Sequence, residues 1–116
     1  MERQDLFAYI SASYGTTPEY LWQKYPNYAV LRHQKSRKWY GIVMDVDAQV
    51  LGLTTAKRVG ILDVKLPKAE VAALFTEPGI YPAYHMNKQK WITLILNDVK
   101  LDKIQGLISK SYELTK

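Results

Sequence analysis

The stretch Pro82-Ala83-Tyr84-His85-Met86-Asn87-Lys88-Gln89-Lys90-Trp91 joins an aromatic run to a basic turn. It then feeds the strand-like segment Trp91-Ile92-Thr93-Leu94-Ile95-Leu96. A second segment is built alike: Arg32 to Lys38 is basic, and Trp39 opens another run of aromatic and β-branched residues. A polar turn between two such runs is the pattern of an antiparallel hairpin. The chain thus reads as two hairpins with charged tips, Ala29–His33 with Trp39–Asp45 and Ile80–His85 with Trp91–Leu96.

Working outward, Glu2 to Tyr14 reads as a helix with Leu6, Ile10 and Ser13 on one side and Phe7 and Tyr14 adjacent, stopped by Gly15. Thr17 as N-cap and Pro18 at the first helical position predict a short helical turn ending near Tyr25-Pro26. Residues 48–60 read as a loop with room for a short strand. Ile61 to Leu66 is strand-like, with Asp63 and Lys65 alternating against Leu62, Val64 and Leu66. Pro67 starts a helix through Phe75 that would turn Val71, Ala72, Leu74 and Phe75 inward, and Pro78-Gly79 ends it. Leu101 to about Leu114 is a last helix with the apolar stripe Leu101, Ile104, Leu107, Ile108 and Tyr112. Five strands cannot bury their apolar side alone. The expected class is α+β, an antiparallel sheet with helices packed on one face.

The 116 residues suggest one domain, 1–116, large enough to bury a real core. There is no cysteine, which excludes a disulfide framework, a thiolate metal site and a Cys nucleophile. The start Met-Glu-Arg-Gln-Asp has no apolar stretch behind a positive head, and no apolar run approaches the roughly 18 residues of a spanning helix. A cytoplasmic location and no membrane partner are the expectation. A formal net charge of +5 favours anionic partners.

Arg32, Lys35, Arg37 and Lys38 place four cations in seven residues with no carboxylate among them. Such a tip suits a groove or a row of phosphates. The competing reading is a solvated turn whose charges keep an edge strand from pairing with neighbours. At the second tip Lys88 and Lys90 supply point charges, and Asn87 and His85 supply hydrogen bonds. Asn87 also suits left-handed turn geometry. Tyr84 and Trp91 are stacking candidates for bases, against the plainer role of cross-strand packing.

Enzyme readings fail on spacing. Tyr84 and Lys88 match the Tyr-x-x-x-Lys pair of short-chain dehydrogenases, but they fall on a turn, with no glycine-rich cofactor loop. His33 and His85 are far apart and without an acidic cluster, so no metal site is expected. Asp45 and Asp47 would share a strand face, with no histidine or third acid beside them. No serine has a recognisable base partner. No catalytic residue and no cofactor is expected.

Pro82-Ala-Tyr-His-Met-Asn-Lys-x-x-Trp-Ile-Thr93, with Leu107-Ile108 and Ser111-Tyr112-Glu113-Leu114 behind it, resembles the MmcQ/YjbR family. Ile61-Leu62-Asp63-Val64-Lys65 and Gly15-Thr-x-Pro-Glu19 match the same pattern, so the resemblance spans nearly the whole chain. Gln89 and Lys90 depart from it, since family members commonly carry a basic residue and then His before the tryptophan. The resemblance implies a frataxin-like α/β sandwich and a double-wing mode of DNA binding. It also raises iron binding, as in frataxin-like proteins with a carboxylate ridge on the first helix. Here that helix offers only Glu2 and Asp5 with Arg3 between them, too sparse for a hard cation.

The sequence therefore predicts a DNA-binding module. Arg32, Lys35, Arg37, Lys38, Lys88 and Lys90 would contact phosphates, and His85 and Asn87 would add hydrogen bonds. The alternative is a non-enzymatic module that binds a protein or a small ligand, with Tyr84, His85 and Asn87 lining the pocket.

Overall fold

The computed structural model describes residues 1–116. In chain order it comprises α1 (Arg3–Tyr14), β1 (Ala29–Arg32), β2 (Trp39–Asp47), a 3-10 turn (Ala48–Leu51), β3 (Arg58–Lys65), α2 (Lys68–Leu74), β4 (Ile80–Pro82), β5 (Trp91–Ile95) and α3 (Leu101–Leu114). The five strands form one sheet in the order β1-β2-β3-β5-β4, every neighbouring pair antiparallel. The α+β class read from the sequence is the class observed.

One sheet face packs under α1 and α3. Ala29, Leu31, Val43, Leu62, Val64, Ile92 and Leu94 meet Leu6 and Ile10 of α1 and Ile104, Leu107 and Ile108 of α3. The opposite face carries Ile42, Met44, Val46, Val59, Ile61 and Ile95 beneath loop residues including Trp22, Leu51, Leu53, Tyr84 and Met86. Both faces are therefore covered, one by helices and one by loops. That explains why all five residues of β5 are buried instead of alternating.

The pattern of β2 breaks at a bulge. The register passes from Leu31↔Gly41 to Arg32↔Trp39, so Tyr40 is the extra residue. Tyr40 joins the helix-side core while Trp39 turns to the loop-covered face beside Ile42 and Met44. Without the extra residue, the period of two would put Trp39 on the helix side with Gly41 and Val43. The bulge would leave the amide of Lys65 and the carbonyl of Tyr40 without ladder partners. Ser111 of α3 supplies both: its Oγ accepts from Lys65 N–H at 2.9 Å and donates to Tyr40 C=O at 2.7 Å.

Several expectations need correction. No helix forms between Thr17 and Pro26: Glu19 pairs instead with Val30, exchanging hydrogen bonds of 3.0 and 2.8 Å with the outer edge of β1. A helix this short is marginal without packing, and the open strand edge offers its backbone better partners. β2 runs past the expected end at Asp45 to Asp47, and β3 starts at Arg58 instead of Ile61, within the stretch read as a loop with room for a short strand, because Val46 and Val59 are register partners that bury each other. Asp63, read as alternating outward, is fully buried. α2 ends at Leu74 with Phe75 as its C-cap, short of the stop expected at Pro78-Gly79; only its Val71 is buried, and Ala72 and Phe75 face out. In α3 Leu101 is exposed at the helix start, and Ser111 is buried in the stripe. Ser13 of α1 is exposed.

Gly15 caps α1 at φ 65° with its N–H on Ser11 C=O, as its position after the last apolar residue predicts. Gly79 sits at φ 82°, and a Cβ there would meet Val99 at 2.8 Å.

Candidate nucleic-acid interface and aromatic cleft

The topology brings the two hairpin tips together. β1 climbs toward Arg32, and β2 descends from Trp39. β3 climbs to Lys65, which pairs with Trp91 at the start of β5, and β4 climbs to Pro82. Both turns, His33–Lys38 and Ala83–Lys90, therefore leave the same end of the sheet. Three inter-strand steps separate the mid-lines of the hairpins, about 14 Å at the usual strand spacing.

At the first tip a four-residue turn is closed by His33 N–H on Lys38 C=O at 2.9 Å and Arg37 N–H on His33 C=O at 3.1 Å, with Arg37 left-handed at φ 64°. Two of its four cations are already engaged. Arg37 grips both carboxylate oxygens of Glu19 at 2.8 and 2.7 Å. Arg32 lies 3.7 Å from the same carboxylate and has its guanidinium over the Trp39 ring. Lys35 and Lys38 are exposed and form no ion pair.

At the second tip Asn87 is a turn former. Its Oδ1 accepts from Gln89 N–H, and its carbonyl accepts from Lys90 N–H and Trp91 N–H. Lys88 folds back to donate to Ala83 C=O at 2.8 Å. Lys90 is exposed and unpaired. Trp91 is only 7% exposed and offers no ring face to a base, so its stacking role is withdrawn. Tyr84 is half-buried, its ring centroid 3.9 Å from that of His85.

Beneath this tip lies a group the sequence reading placed in solvent. Thr93 Oγ donates to the buried Asp63 carboxylate and accepts from Tyr84 N–H at 2.8 Å, tying β3, β5 and the tip together. The other Asp63 oxygen has no partner. Burial pushes the Asp63 carboxyl up to about 7, while the Thr93 hydroxyl and the Lys88 ammonium pull it the other way. On the far side, His33 Nε2 lies 2.8 Å from Thr115 Oγ, and burial lowers its pKa. No group of three or more His, Cys, Asp or Glu side chains converges as a metal site would require, and no helix is long and apolar enough to cross a membrane.

The loop-covered face holds a second feature that sequence reading missed. Trp22, Tyr25, Tyr28, Trp39, Ile42, Met44, His85 and Met86 line a cleft of about 300 Å³. Trp22 and Trp39 stand perpendicular at 5.9 Å between centroids, and Tyr25 stacks on Tyr28 at 4.7 Å. Burial, followed by the neighbouring Tyr84, pushes the Tyr28 phenol up to about 12. The signal in the sequence was the aromatic density of residues 20–28, but these rings converge only through the bulge at Tyr40 and the crossing of β1 beside β2.

The YjbR family model matches residues 11–114 of this chain. The chain belongs to the YjbR family. It is 41% identical to the uncharacterised protein YyaQ of Bacillus subtilis (strain 168), covering 100% of this chain and 99% of that protein. A crystal structure of a Pseudomonas syringae protein superposes with a TM-score of 0.98 at 44% identity, with 100% of both chains covered. The Deinococcus radiodurans protein DR2400 shares the fold at a TM-score of 0.69 and 18% identity, covering 97% of this chain and 76% of that one.

Proposed function

We propose that this YjbR-family domain is a non-enzymatic nucleic-acid-binding module that grips phosphates with one end of its sheet. The observation that carries the reading is the shared direction of the two hairpin tips, which sets Lys35 and Lys38 on one side and Lys90 on the other. Lysines without carboxylate partners are free to replace condensed counterions on a phosphate backbone. Arg32, Arg37, Lys88 and Asn87 support the site from behind: the arginines lock Glu19 against the first tip, and Lys88 and Asn87 shape the second.

Three phosphates neutralised on a duplex predict a slope of about −2.7 in a plot of log affinity against log salt. Fluorescence anisotropy with a labelled random duplex at low and at physiological salt measures that slope. The triple variant Lys35→Glu, Lys38→Glu, Lys90→Glu should abolish binding and leave the unfolding temperature within a few degrees of wild type, since all three side chains are exposed. Unchanged binding by a folded triple variant sinks the proposal.

A further inference from the structure

We infer that the aromatic cleft is a nucleobase site, so that the strand gripped at the tips is single-stranded and places an unpaired base against the wall formed by Trp22, Trp39 and Tyr25. For the base itself the inference rests on the cleft. For the strand as its source it rests on the phosphate reading above.

The lining selects the chemistry. Seven of the eight residues around the cleft are hydrophobic, and His85 is the eighth, so there is no carboxylate to hold a cationic guest. The Arg32 guanidinium already lies 5.7 Å from the centroid of Trp39, and it would repel an ammonium in the same place. A flat, uncharged ring tethered to an anion meets neither objection. Trp22 and Trp39, at 90° to one another, offer one wall for stacking and one for an edge-on contact. Tyr25 already continues a parallel stack on Tyr28, with planes 8° apart, and is 41% exposed. Met44 and Met86 add polarizable sulfur, which favours contact with aromatic rings. The volume of about 300 Å³ lies at the lower end of the range of small-ligand clefts.

Placement supports the same occupant. Trp39 is the first residue after the first basic tip, and His85 and Met86 belong to the second, so the cleft is flanked by both phosphate grips. His85 is held at φ 67°, a conformation disfavoured for a residue with a β-carbon, and backbone strain of this kind concentrates where a side chain must be aimed. A duplex keeps its bases stacked inward and cannot fill the cleft without unpairing.

The test follows the three indole N–H signals, of Trp22, Trp39 and Trp91, in a nitrogen–proton correlation spectrum of the labelled protein. A single-stranded oligodeoxyadenylate should shift Trp22 and Trp39 together with the amides of Lys35, Lys38 and Lys90, and leave the buried Trp91 in place. Free adenosine at millimolar concentration should shift the two cleft indoles alone. A matching duplex should move the tip amides alone. Tyr25→Ala, at a position 41% exposed, should weaken single-strand binding roughly tenfold and leave duplex binding unchanged. If single strand and adenosine both leave the two indoles unmoved, the base site is overturned, and tip amides that still shift would keep the phosphate reading intact. If adenosine moves the indoles while no nucleic acid moves the tips, the base site stands and the phosphate reading fails.

Discussion

Asp63 is a carboxyl with one hydrogen-bonded oxygen and one orphan, buried on β3 opposite Thr93 of β5. Burial disfavours its charged form and pushes its pKa up to about 7 from the ordinary 3.8. An acid whose pKa is raised by folding contributes stability that is fully present below its unfolded pKa and is lost as pH rises through its folded pKa. Asp63→Asn removes that titration. The variant should gain roughly 4 kcal/mol relative to wild type between about pH 4 and about pH 8, read by urea unfolding at both values. His33 works in the other direction: with its pKa lowered, its contribution is present above about 6.5 and is lost as pH falls. It is common to both proteins and cancels in the difference. An equal pH dependence in wild type and variant would mean that Asp63 stays ionised. The sequence hid this residue because Asp63 and Lys65 alternate with apolar neighbours as an outward face would. Only the loop that closes over the second face makes the site buried.

At the scale of elements, the contact between α3 and the bulge in β2 is the feature with the largest consequences. Ser111 satisfies two buried backbone groups at once, one on β3 and one on β2. Ser111→Ala leaves both unpaired and should cost about 2 kcal/mol or more in thermal or denaturant unfolding, well above the effect of an exposed Ser→Ala change. A cost under about 0.5 kcal/mol would mean that the strands close the gap themselves. The helix positions of α1 and α3 were legible, since Leu6–Ile10 and Ile104–Leu107–Ile108 recur at helical spacing and Gly15 stops α1. The bulge was not. A bulge changes no residue type, and its extra residue is visible only against the partner strand.

At the scale of the whole molecule, net charge sets how strongly an anion is drawn in, and Glu19 sets where. Its carboxylate engages Arg32 and Arg37 at the end of the sheet where the lysines stand free, and offsets one of their two charges. Glu19→Gln keeps the backbone bridge to Val30 and releases both arginines. On the phosphate reading, it should raise duplex affinity severalfold at low salt and steepen the salt slope by about one unit per added contact. Titration by anisotropy at several salt concentrations decides this, and weaker or unchanged binding would mean that the arginines never reach the backbone. The candidate interface was half legible: the cations could be counted from the sequence, but Glu19, placed there in a supposed helix, could not be seen to sit against them.

The sequence by itself determined the helices α1 and α3, both hairpins, the stop at Gly15, the excess of positive charge and the family. Each depends on neighbours within a few residues or on a run of residue types. Only the tertiary structure decided that both basic tips share one end of the sheet, that two of the first tip's four cations are engaged by Glu19, that Asp63 is buried and that Trp22, Tyr25, Trp39 and His85 meet around one cleft. Those facts depend on strand order, on a one-residue change of register and on loops folding over a face. Such contacts join residues far apart in the chain, and local spacing does not encode them.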